Sequence, residues 1–177
     1  LPPAAVPEDH WLDQRNVYAT TKLAQEQLCA AYAREHDGTV VTALRYHNVY
    51  GPRMPRDTPY AGVASIFRSQ LAADEDPLVF EDGGQRRDFV HVTDVAAANL
   101  LALTCPAPYD GPLNVASGHP ISLLEMAESL CAADARGHVP VVTGRYRLGD
   151  VRHITADPAL AARAIGFTAR VPPDEGL

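Results

Sequence analysis

The apolar positions switch between two spacings along the chain, and each switch marks an element. Over residues 16–35, Ala24, Leu28, Ala31 and Tyr32 recur at the three-and-four spacing of a helix, so a buried stripe is expected there, closed by Asp37-Gly38. Residues 40–46 (VVTALRY) form a short β-branched run that reads as a buried strand. Residues 48–60 hold Pro52, Pro55 and Pro59 and read as one long loop, a length that in a compact domain usually serves function. A second helix is predicted over 61–73, with Val63, Ile66, Phe67 and Leu71 on one side. Short strands are expected at 78–80 and 88–92, with a hairpin-like turn at 81–84. Thr93 is placed to cap a helix reaching 103, and Asp94 is assigned to the same cap.

The pattern then repeats. A strand is predicted at 113–116, and Ser122 with Glu125 forms a capping box opening a helix to about 135. A strand follows at 139–143, and Asp157-Pro158 starts a helix that Gly166 closes. Residues 1–14, with Pro2, Pro3 and Pro7, read as a loop, and the tail after Phe167 as irregular. Strands alternating with helices predict an α/β fold with a parallel sheet.

Composition narrows the function classes. The 177 residues are about one domain's worth, and 46% are hydrophobic, enough for a core. The net charge of -7 argues against a nucleic-acid partner. No apolar run has the length of a membrane span, so no membrane association is expected, and no basic-then-apolar leader opens the sequence. Cys29, Cys105 and Cys131 form no C-x-x-C pair, which fits reduced thiols in the cytoplasm. The seven histidines include no H-x-x-x-H spacing, so no metal is expected.

One count points to chemistry. The chain has 14 arginines and a single lysine, Lys22, which follows Tyr18 by four residues. On a helix these two share a face, so the ammonium lies near the phenol. A cation beside a phenol favours the phenolate and suits it to general-base work, more so with a second positive charge nearby.

Three motifs occur in order: Tyr18-x-x-x-Lys22, LRYHNVYGP at 44–52 and RDFVHVTDV at 87–95. Together they closely resemble the extended short-chain dehydrogenase/reductase family, in its nucleotide-sugar epimerase and dehydratase branch. The family's glycine-rich G-x-x-G-x-x-G turn is missing from the sequence, as is its catalytic Ser/Thr, which would fall before Leu1. The resemblance therefore implies the C-terminal half of a longer enzyme. Residues 1–60 would be the last part of the Rossmann-like, doubly wound NAD-binding domain. Residues 61–177 would be mainly a small α/β nucleotide-sugar domain, with 88–104 returning to the Rossmann-like sheet. In a sheet cut at that point, strand 40–46 would present an open edge.

The same resemblance implies site roles. Tyr18 would be the acid/base toward a sugar hydroxyl, and Lys22 would bind the nicotinamide ribose and assist that proton transfer. Tyr18, Lys22 and Tyr46 would contact NAD. Asn48 would touch the sugar or its diphosphate, and Arg87 the diphosphate, with Arg86 as its alternative. In RYRLGDVRH (145–153), Arg147 would meet phosphate or base and Asp150 the ribose, while Val79 and Phe80 would flank the base. The implied activity is 4-epimerisation of a UDP- or dTDP-linked sugar through a 4-keto intermediate, by a homodimer. A 4,6-dehydratase, and a non-catalytic binding module lacking the cofactor half, are the alternatives.

Overall fold

A computed structural model describes residues 4–55, 62–147 and 150–176. In chain order the elements are α1 (Val17–Glu35), β1 (Thr42–Tyr46), β2 (Asn48–Tyr50), α2 (Val63–Ala72), β3 (Leu78–Val79), β4 (Arg86–Arg87), β5 (Phe89–His91) and α3 (Val92–Thr104). They continue with β6 (Gly111–Val115), β7 (Ile121–Ser122), α4 (Leu123–Asp134), β8 (Val141–Val142), α5 (Ala159–Ile165) and α6 (Pro173–Gly176).

Three of the four strand pairings are parallel, as the alternation of elements predicts. β1 pairs with β6 from Thr42↔Gly111 to Tyr46↔Val115, and β2 pairs with β5 from Asn48↔Phe89 to Tyr50↔His91. Between them the extended chain changes partner: the His47 amide donates to Val115 O and the Asn48 amide to Asp88 O. β3 runs parallel to β8, and β4 antiparallel to β7. Among the described residues β6 is the one strand beside β1, whose other edge is open.

Two cores flank this frame. α3 and α5 bury Val95, Ala98, Ala161 and Ile165 against Val90, Leu113 and Val115, with Leu44 packed alongside. Leu44 and Arg45 project from opposite faces of a strand, and Arg45 grips α1, so α1 covers the other face. That is the doubly wound arrangement. The second core joins α2 to α4, with Phe67, Leu71, Val79, Met126 and Leu130 at its centre.

Several expectations are corrected here. Three of the four positions of the stripe predicted on α1 face out: Leu28 is 69% and Tyr32 56% exposed and Ala24 is exposed too, while Ala31 is half-buried. The other half-buried positions of the helix are Ala19, Leu23, Glu26, Ala30 and Ala33. Apolar periodicity tells that a face is suited to burial, not which neighbour covers it. On α2, Phe67 and Leu71 are buried but Ile66 is 41% exposed, its place taken by Ala64 and Ser65. The predicted loop at 48–60 opens with β2, whose partner β5 lies about 40 residues away and leaves no local signal; its end, 56–60, lies outside the described residues.

The turn at 81–84 does not close a hairpin, because β3 and β4 pair with different strands. The cap of α3 is His91, whose ring accepts from the Thr93 amide, and not Thr93. Asp94 is buried and does no capping: its Oδ2 accepts from the amides of Arg170 and Val171 at 3.1 and 3.0 Å, tying the tail to α3. The tail itself ends in the short helix α6. The stretch before α1 is irregular but anchored. Val6 bridges to Ala156, and the buried Glu8 accepts from the Asn114 amide at 2.7 Å. Among the described residues no helix is long and apolar enough to cross a membrane.

Candidate active site

Asn16 starts the site by capping α1: its side chain accepts from the Ala19 amide at 2.9 Å. The helix then sets Tyr18 and Lys22 one turn apart, with Lys22 Nζ 5.6 Å from the centre of the Tyr18 ring. Tyr18 is 64% exposed, and the Lys22 ammonium makes a long 3.4 Å contact with Gln25 Oε1. Arg45 fixes the helix from below. It donates to both Glu26 carboxylate oxygens, at 2.8 and 2.7 Å, and to Glu8 O at 3.1 Å. The Glu26 hydrogen bond pushes the Arg45 pKa up.

Two clefts meet at Tyr18. The smaller, about 490 Å³, is lined by Tyr18, Asn48, Tyr50, Gly51, Arg53 and Phe89, among others. The larger, about 1010 Å³, has Tyr18, Lys22, Tyr46, His47 and Cys29 in its wall. The smaller cleft depends on a close backbone approach. Gly51 sits at φ +140, and a Cβ there would lie 2.7 Å from Val92 Cγ1, so glycine is required. Asn48 Nδ2 donates to Asp88 O at 3.1 Å, which orients the amide at the cleft wall. Tyr46 donates its hydroxyl to Asn99 Oδ1 at 2.8 Å.

Asp88 ties the start of β5 to the chain that follows β6. Its fully buried carboxylate accepts from the Ser117 amide and hydroxyl, at 2.6 and 2.8 Å, and from the Gly118 amide at 2.9 Å. His47 lines the larger cleft, and burial pushes its pKa down. Its Nδ1 is buried with no hydrogen-bond partner among the described residues.

Away from Tyr18, residues 144–147 and 150–154 form a strap over the 81–87 region. Glu81 exchanges backbone hydrogen bonds with Gly144 and Arg145, and Ile154 donates to Arg86 O. Arg152 bonds Glu81 and Asp82, at 2.9 and 2.7 Å, and holds the Asp82 carboxyl down at about 2. Arg87 lies beneath, its side chain 7% exposed. Its Nη1 donates to Arg86 O and Arg152 O, at 3.0 and 2.7 Å, and its Nη2 to Val151 O at 2.7 Å and Asp150 Oδ1 at 3.4 Å. Burial lowers the Arg87 pKa, against the pull of Asp150.

The expected site residues therefore fall into groups. Tyr18, Lys22 and Tyr46 share the larger cleft, and Tyr18 and Asn48 share the smaller. Arg87 and Asp150 meet each other, and Arg147 is exposed on the strap. Arg86 turns away to Pro120 O at 2.8 Å. Val79 has no exposed surface and packs the second core, so its side chain is not open to a base, while Phe80 is 37% exposed. Sequence reasoning passed over Arg53 and His47, which line the clefts, and Asp88, which ties their strands. All three sit within or beside the quoted motifs, and that adjacency was the available signal.

Comparison with known proteins places the chain and its fold. The chain is 34% identical to a dTDP-L-rhamnose 4-epimerase from Burkholderia thailandensis, over 92% of this chain and 44% of that protein. Its fold matches UDP-glucose 4-epimerase from Thermotoga maritima, solved with UDP-glucose, with a TM-score of 0.87 at 32% identity over 99% of this chain and 55% of that one. It also matches UDP-glucuronic acid 4-epimerase from Bacillus cereus, solved with UDP-glucuronic acid and NAD, with a TM-score of 0.85 at 25% identity over 98% of this chain and 54% of that one. The chain thus spans about half the length of the relatives it matches. The sequence profile of the NAD dependent epimerase/dehydratase family covers residues 3–116, well over half of the chain, and the chain belongs to that family.

Proposed function

We propose that this chain carries the acid/base helix and the nucleotide-sugar contacts of an NAD-dependent nucleotide-sugar 4-epimerase. One observation carries the reading: Tyr18, with Lys22 one turn along, stands where two clefts meet. A group that must touch both a sugar and a dinucleotide belongs at such a junction. The similarity to enzymes acting on UDP-glucose and UDP-glucuronic acid favours a diphosphate-linked sugar as substrate.

In this reading residues 1–60 and 88–104 belong to the cofactor-binding part, and most of 61–177 to the nucleotide-sugar part. Tyr18 removes the proton of the sugar 4-hydroxyl as the ring is oxidised to a 4-keto sugar, and returns it when the ring is reduced on its other face. The Lys22 ammonium stabilises the phenolate between these events. Asn48, oriented by Asp88 O, bonds the sugar or its diphosphate. Phe80, Arg87, Arg147 and Asp150 serve the nucleotide end.

The larger cleft fits a dinucleotide. It offers the Tyr18 and Tyr46 phenols and a lysine whose nearest side-chain partner is a long contact to Gln25. Tyr18, Lys22 and Tyr46 would hold NAD, which when bound supplies the hydride chemistry. The enzyme acts in the cytoplasm as a homodimer, consistent with the exposed Leu28 and Tyr32 on α1.

The test is turnover of UDP- and dTDP-sugars with NAD, in the protein encoded by the complete gene. Tyr18→Phe is expected to lower 4-epimerisation at least about 100-fold while UDP affinity stays within about twofold, a shift well under one tenfold step. Undiminished turnover overturns the reading.

A further inference from the structure

Arg87 is more fully engaged than a ligand-binding arginine needs to be. Its four Nη hydrogens go to three backbone carbonyls and one carboxylate. The carbonyl contacts are 2.7 to 3.0 Å long and belong to the strap and to its own strand, so they hold the guanidinium in place. The fourth contact differs. Asp150 is the longest partner at 3.4 Å, and its side chain is 46% exposed over a guanidinium that is 7% exposed. Of the four partners, it alone can be exchanged while the Arg87 guanidinium keeps all its bonds to backbone carbonyls.

We propose that Asp150 is a specificity-determining residue: an internal counter-ion on Arg87 that a diphosphate displaces and a simple monoanion does not. The inference rests on the reading that this site takes a nucleoside diphosphate, and assigns Asp150 a role there other than holding the ribose. A free monocarboxylate offers Arg87 what Asp150 already offers. Asp150 is tethered, however, and so competes at high effective concentration. A diphosphate brings more charge and several oxygens, and phosphate oxygens pair with a guanidinium in two-point fashion. Arg145 and Arg147, exposed on the same strap, add attraction for the more highly charged anion.

Displacement has a local reporter. Asp150 Oδ1 also accepts from the Val151 amide at 2.9 Å. When the carboxylate leaves Arg87, that amide loses its partner too.

The experiment titrates the chain and Asp150→Asn with inorganic pyrophosphate, UDP and acetate by calorimetry at constant ionic strength. Hydrogen exchange of the Val151 amide is followed in the unsubstituted chain. Asp150→Asn is expected to bind pyrophosphate about tenfold more tightly, one step of 1.4 kcal/mol, and to gain measurable acetate binding. Pyrophosphate is expected to speed Val151 exchange severalfold in the unsubstituted chain, a readout that stands even if the variant folds poorly. Unchanged pyrophosphate affinity with weaker UDP binding marks Asp150 as a ribose contact; it overturns this inference and leaves the nucleotide reading intact. Unaltered Val151 exchange under saturating pyrophosphate also overturns it. Absence of any UDP or pyrophosphate binding to the unsubstituted chain overturns both.

Discussion

Arg45 grips Glu26 through both carboxylate oxygens, at 2.8 and 2.7 Å, and this pair joins the helix of Tyr18 and Lys22 to the sheet. None of the residues of α1 is buried, so the helix has little apolar packing to replace the pair. Both side chains are about one-fifth exposed, which strengthens the attraction but leaves either partner costly if stranded. Glu26→Gln is expected to cost about 2 kcal/mol, roughly 4–8 °C in melting temperature for a chain of this size. Hydrogen exchange should show α1 loosening before β1. A melting temperature within about 1 °C of the parent would remove the pair from its anchoring role.

Asp88 joins three segments: it accepts from Ser117 and Gly118, and its own carbonyl orients Asn48. Asp88→Asn replaces an acceptor-only group by one that presents N–H to donors. The expected loss is about 3 kcal/mol, with weaker UDP-sugar binding following from a displaced Asn48. Chemical denaturation and calorimetry on the same variant check both effects. Lost stability with unaltered affinity would separate Asn48 from the ligand.

Gly51→Ala addresses the smaller cleft directly. The new methyl would meet Val92 Cγ1 at 2.7 Å and His91 Nε2 at 3.0 Å, at a backbone angle that disfavours any side chain. About 2 kcal/mol of stability should be lost, together with most sugar-nucleotide affinity. Thermal melts and a UDP-glucose titration measure the two losses, and a variant as stable as the parent contradicts the close approach.

The strap should be acid-sensitive. Arg152 holds the Asp82 carboxyl down at about 2, so Asp82 contributes stability that is present above the ordinary carboxylate range and is lost as pH falls through about 2. Exchange of strap amides should therefore quicken between about pH 4 and pH 2. In Asp82→Asn that acid step should shrink, with the strap already looser at neutral pH. An identical acid profile in the variant would assign the step to another carboxylate.

How far the sequence could be read depended on how local each interaction is. Ser122 and Glu125 form their capping box three residues apart, and Gly166 closes α5 in the left-handed conformation, both as the sequence predicts. The Tyr18–Lys22 pair was legible for the same reason, since a helix alone brings it together. β2 was not, because its partner is set by topology. Asp94 was misassigned because the amides that donate to it, those of Arg170 and Val171, lie at the far end of the chain. Arg87 stood out by motif, but its enclosure by Val151 and Arg152 depends on a strap over 60 residues downstream.

The change of partner at His47 has a mechanical consequence. Tyr46 lines the larger cleft and Asn48 the smaller, so two peptide bonds measure out the interval between the two proposed stations. Because side chains alternate along extended backbone, one inserted residue would turn one station inside out while leaving the other untouched. The backbone there works as a ruler, and its graduation is a single residue.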